Sequence, residues 1–160
     1  GGTGTVTIGG ETIESTWVGN CIIDEQFDPQ PGDLDLTASL GGIEALFLEI
    51  SNMSLALGGD PVEFLQIRAS MQLRSDSGDM ALYDHVVYVQ APDGSWYEDA
   101  DGAAGFTIAR GETPEGDPVT PAPLVLDGDK ATGTVMLDDG SGPVDVSYDL
   151  TVAEPVDCSL

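Results

Sequence analysis

The sequence predicts an all-β domain, an antiparallel β-sandwich or open barrel of about nine to ten strands. Three observations carry that expectation. Apolar and polar residues alternate strictly over three long stretches, and turns built on Gly and Asp recur every ~8–12 residues. Helical periodicity is scarce. A chain of 160 residues without an internal repeat or a linker reads as one domain spanning 1–160.

The elements follow in order. Residues 5–9 and 12–18 form a hairpin closed by Gly9-Gly10, preceded by a flexible Gly-rich start over 1–4. In 33–40 the apolar set Leu34, Leu36, Ala38 and Leu40 alternates with Asp33, Asp35, Thr37 and Ser39. Side chains leave a strand on alternate faces, so this pattern marks a half-buried strand. Residues 43–51 follow the Gly41-Gly42 turn. A helix over 41–57 is the alternative there, but Leu46, Leu48 and Ile50 at spacing two support a strand. Asn52-Met53-Ser54 fits the N-glycosylation pattern and is read as a turn. The alternation in 65–74 is nearly unbroken, with Leu65, Ile67, Ala69, Met71 and Leu73 against Gln66, Arg68, Ser70, Gln72 and Arg74. Residues 80–90 form a longer run that includes Val86, Val87, Tyr88 and Val89. Short strands are expected at 106–109 and 124–127. Between them, 109–123 holds four prolines and two glycines and reads as an exposed loop. Residues 132–137 follow the Asp127-Gly128-Asp129 turn. In 144–153, Val144, Val146, Tyr148, Leu150 and Val152 alternate with Asp145, Ser147, Asp149 and Thr151.

Composition narrows the function. Against 29 acidic residues stand Arg68, Arg74, Arg110 and Lys130, for a net charge of −25. Such a polyanion is repelled by nucleic acid and by anionic membrane surfaces, which excludes both as partners. The apolar stretches are too short to span a bilayer. Three origins of the acidity stay open: export from a high-GC bacterium, salt adaptation, and local calcium binding. In each case stability is expected to rise with salt as self-repulsion is screened.

Catalytic signals are weak. His85 is the one histidine, and Asp84 beside it points to the opposite face of a strand, so it cannot orient the ring. No GxSxG elbow occurs. Carboxylate pairs are uninformative where carboxylates are this abundant. The chain is therefore expected to be non-enzymatic.

Cys21 and Cys158 stand near opposite ends. An even count in an exported chain reads as a disulfide, and two buried free thiols are the alternative. The absence of a CxxC motif argues against a zinc or redox site. Position 1 is not Met, and the leading Gly1-Gly2-Thr3-Gly4 reads as a mature or trimmed start.

Two loop features are candidate sites. Residues 92–102 concentrate Asp93, Glu98, Asp99 and Asp101 among glycines, and calcium takes carboxylate and carbonyl oxygens of this kind. Asp99 and Asp101 are the calcium candidates, although the D-x-D-x-D-G register ends there and Asp-Gly is also ordinary turn chemistry. Trp96 and Tyr97 are either an exposed recognition patch or the start of a buried strand.

The Gly4-Thr5-Val6-Thr7-Ile8-Gly9-Gly10 hairpin, the strand running into Cys21, and a closing third with Ala131-Thr132-Gly133-Thr134-Val135, Val146-Ser147-Tyr148-Asp149-Leu150-Thr151-Val152 and Cys158 belong together. In this order they resemble the mycobacterial nineteen-kilodalton lipoprotein antigen family, over about half of the chain. The resemblance implies an actinobacterial surface lipoprotein, extracytoplasmic and held to the membrane through a lipidated cysteine outside this sequence. It also implies an intramolecular disulfide, Cys21–Cys158, and a display or binding role toward a protein or surface partner; the chain is expected to be a monomer. The family pattern departs at 153–157, which separate the last strand from its cysteine, and over the acidic middle, 55–122. Two other roles remain: a subunit of an extracellular assembly that pairs strands edge to edge, with the Gly-rich start as a donated strand, and a carrier of small apolar ligands.

Overall fold

The computed structural model describes residues 2–8, 10–18, 21–22, 34–40, 44–74, 80–138, 142–151 and 156–157. They form two antiparallel five-stranded sheets, a short parallel pair and one helix. The first sheet joins the chain ends: β1 (Gly2–Ile8), β2 (Glu11–Val18), β9 (Val125–Asp127), β10 (Lys130–Asp138) and β11 (Pro143–Thr151), in the order β2-β1-β11-β10-β9. The second is a meander of β4 (Leu34–Leu40), β5 (Glu44–Leu55), β6 (Val62–Arg74), β7 (Met80–Gln90) and β8 (Trp96–Glu98). Helix α1 (Ala103–Ala109) follows β8, and β3 (Cys21–Ile22) pairs with β12 (Val156–Asp157).

The alternation read in the sequence sets which face of each strand is buried. Ile67, Ala69 and Met71 of β6 and Val86 and Tyr88 of β7 meet Val135 and Leu137 of β10 and Val146, Tyr148 and Leu150 of β11. This shared core lies between the sheets, which makes the architecture a sandwich. Burying these side chains is the dominant stabilising term, about 1.5–3 kcal/mol for each large one.

A second, smaller core lies on the other face of the meander. Phe64, Val89 and Tyr97 are covered there by Ala104 and Ile108 of α1. Residues 106–109, expected as a short strand, belong to this helix. Contacts at its two ends fix the helix. The Asp99 carboxylate accepts the Ala104 N–H at 2.9 Å, and Gly102 turns the chain at φ 71° into the first helical residue. At the far end Gly111, at φ 79°, returns its N–H to the Ile108 carbonyl.

Three further expectations change. Residues 2–4 are no flexible start, because β1 lies between β2 and β11 and Gly4 pairs with Leu150. A methyl group at Gly4 would meet the Leu150 side chain, so close strand packing explains that glycine. Asn52-Met53-Ser54 continues β5 opposite Leu65, Phe64 and Glu63, where a turn was expected. The loop over 109–123 is exposed for most of its length, but Pro114 and Pro123 are buried and Val119 and Ala122 pack on the core.

The end of that loop works as a strap across the sandwich border. The Val119 N–H donates to the Trp96 carbonyl of β8 at 2.7 Å, and the Ala122 carbonyl accepts the Thr134 N–H of β10. Beneath it the Tyr148 hydroxyl donates to the Pro123 carbonyl. Burial of Tyr148 pushes its hydroxyl well above the usual tyrosine range. Gly133 makes room for the strap, since a methyl there would strike the Pro123 carbonyl and stand 2.7 Å from the Tyr148 oxygen. Beyond the strap, β10 is stitched to the opposite sheet. Its Met136 N–H donates to the Tyr88 hydroxyl at 3.2 Å and its Asp138 N–H to the Asp84 carboxylate at 2.8 Å. Burial raises the Tyr88 hydroxyl as well. An edge that would otherwise invite another strand is thereby closed.

Candidate functional site: a carboxylate-lined hollow

Beside α1, the chain folds around a hollow of about 400 Å³. Its floor and walls come from the end of β8, the 99–101 turn, the helix and residues 112–115. Five carboxylates line it, those of Glu98, Asp99, Asp101, Glu112 and Glu115. No basic side chain is among the lining residues. Arg110, which follows the helix, stacks its guanidinium over the Phe106 ring at 4.6 Å.

Each wall is held by backbone hydrogen bonds. The Asp99 N–H donates to the Val87 carbonyl at 2.8 Å, which docks the turn onto β7. The helix end is closed by the Glu112 N–H donating to the Thr107 carbonyl at 3.1 Å, and Pro114 is buried just beyond. The carboxylates are thus carried by a positioned frame. Asp99 has two jobs, because one of its oxygens caps the helix while its side chain lines the hollow.

The structure brings the two calcium candidates, Asp99 and Asp101, into this hollow together. Among the described residues, no three His, Cys, Asp or Glu side chains are grouped so that they could hold a metal ion. Glu112 and Glu115 were missed in the sequence because they sit in the Pro-rich loop, which has no periodicity to place them. Gly111 and Pro114 were the available signals, as a helix stop and a re-entry point.

Trp96 and Tyr97 do not form an exposed patch. They are 4% and 6% exposed, one in the inter-sheet core and the other under α1. β8 pairs with β7 through Gln90↔Trp96 and Val89↔Tyr97, so alternation sends one ring to each face, and both faces are covered. His85 stands exposed on β7. Cys158 lies outside the described residues. The backbone of Cys21 is described, and it pairs in parallel with Val156, two positions before Cys158.

A scan of known protein families, a search of characterised proteins and a search of solved structures find no match to this chain.

Proposed function

We propose that the chain is a non-enzymatic, extracytoplasmic binding domain, displayed at a cell surface, that meets a cationic partner through the hollow beside α1. The observation that carries this reading is the convergence of Glu98, Asp99, Asp101, Glu112 and Glu115 on one concave surface. Acids that line one concave surface add their fields, so a counter-charge from outside gains more there than beside a single surface acid.

The proposed location and tether follow the lipoprotein resemblance. A Cys21–Cys158 bridge fits it, because β3 and β12 set Cys21 alongside the segment that runs into Cys158. Such a staple contributes up to ~5 kcal/mol by restricting the unfolded chain. Alkylated, denatured protein is expected to gain two alkyl groups only after reduction. Alkylation without reductant would remove the bridge.

The test of the binding reading compares two variants with equal loss of charge. One carries Glu98→Gln, Asp101→Asn, Glu112→Gln and Glu115→Gln. The other carries Glu14→Gln, Asp60→Asn, Asp117→Asn and Asp145→Asn, which lie outside the hollow's lining. Each is titrated by calorimetry with hexalysine and with CaCl2 at fixed ionic strength. Loss of affinity in the first variant alone, by at least tenfold, supports the hollow. Loss confined to CaCl2 would make calcium the ligand, held by Asp99 and Asp101. Equal affinity in both variants would overturn the reading.

A further inference from the structure

A second concavity opens on the border where β8 and β9 end the two sheets. Its volume is about 390 Å³, and Leu65, Trp96, Leu124, Val125 and Leu126 line it with Gln90 at the rim. Val125 and Leu126 keep 51% and 45% of their surface exposed, among the most exposed large apolar residues described. Solvated apolar surface on an edge strand is a liability that folds normally cover. Here the contrast with the neighbouring strand is sharp. Beyond residue 132, β10 has its N–H groups taken up by Ala122, Tyr88 and Asp84. β9 pairs only with residues 130–132 of β10 and stands at the end of its sheet.

Three acids flank the groove, and Lys130, which stands opposite Asp127 on β10, is paired with Asp149 at 2.7 Å. Glu63 is exposed two positions before Leu65, on the same face of β6. Asp93 adjoins Gly94 at the groove mouth, fixed in its turn by the Ser95 N–H at 3.0 Å. Asp127 follows Leu126 and is exposed. A second copy of this chain also carries a net −25, and repulsion between two such copies disfavours self-pairing.

We infer that this groove docks an extended segment of a basic partner protein, which adds a strand to the outer edge of β9. One large apolar side chain of that segment sits against Leu65 and Trp96, while flanking Lys or Arg residues meet Glu63, Asp93 and Asp127. Main-chain pairing supplies affinity in this mode, and alternate side chains supply selectivity. The inference concerns a surface separate from the hollow and does not depend on it.

The probe is a capped nine-residue peptide of alternating Lys and Val with Leu at its centre, titrated into the full chain and followed by amide NMR shifts. Shifts are expected at 124–127 and around Trp96. Leu126→Asp, at an exposed position, is expected to weaken binding at least tenfold. Asp127→Asn and Glu63→Gln, each mild enough to fold, are expected to weaken it two- to fivefold. The four-site hollow variant described above is expected to bind the peptide unchanged, so either proposal can fail alone. Unaltered affinity in Leu126→Asp and in the two rim variants would overturn the inference. So would equal binding of hexalysine at the groove, which needs no apolar anchor, or equal binding of a peptide with Glu in place of Lys.

Discussion

The two sheets differ on their outer faces. On the meander, Phe64, Val89 and Tyr97 point away from the inter-sheet core and are buried under α1. On the terminal sheet, the corresponding face carries hydroxyls. Thr12, Thr7, Ser147 and Thr134 lie in one row across four strands, with Thr7 and Thr12 bonded at 2.9 Å and Thr134 and Ser147 at 3.2 Å. Where a strand alternates, one face can stay wet; where it stops alternating, something has to cover the second face. The meander needs α1, and the loops that hold α1 are the ones that build the acidic hollow.

Breaking the cover is the severest test of that contrast. Ile108→Ala empties a fully buried position beneath α1 and is expected to cost about 3 kcal/mol by urea denaturation. A loss under 1 kcal/mol would mean that the helix is not part of the cooperative fold. Gly133→Ala drives a methyl into the strap and is expected to cost about 2 kcal/mol, with loss of the Thr134 amide's protection from exchange.

Tyr148 sharpens the strap's role through pH. Its hydroxyl is neutral in the fold and its pKa is raised by burial, so the unfolded chain ionises first as pH climbs. Stability is therefore full below about pH 10 and falls above it, by up to about 1.4 kcal/mol per pH unit. Urea midpoints between pH 9 and 12 are expected to drop, and Tyr148→Phe to flatten the drop while lowering stability at neutral pH. Asp99→Ala removes the acceptor for the Ala104 N–H and is expected to cost about 1 kcal/mol. The smallest effect belongs to the bare face. Thr134→Ala is expected to stay within about 0.5 kcal/mol, and a larger loss would show that the hydroxyl row is structural.

The same contrast explains what the sequence disclosed. The all-β class and the inner faces of β6 and β11 were legible because each strand there has one apolar side. The run from Val86 to Val89 carried a signal as well, since consecutive apolar residues need two covered faces, and a cover for the outer one was therefore implied. Its identity was not legible. Residues 103–109 are a seven-residue segment with three Ala and a Gly, and the side chains that cap and bury them come from Asp99 and Phe64, which lie outside the segment. The hollow was half legible, through Asp99 and Asp101. Glu112 and Glu115 join it only because Pro114 is buried and folds their loop back, a tertiary contact that no local pattern encodes.

The most direct test of the functional account is to map where a cationic ligand lands. Isotope-labelled protein titrated with hexalysine at physiological ionic strength is expected to shift the amides of residues 98–101, 103–104, 107 and 112–115 first, in a saturable way. Weak, unsaturable shifts spread over acids on every face would contradict it and leave the carboxylates as a solvated surface.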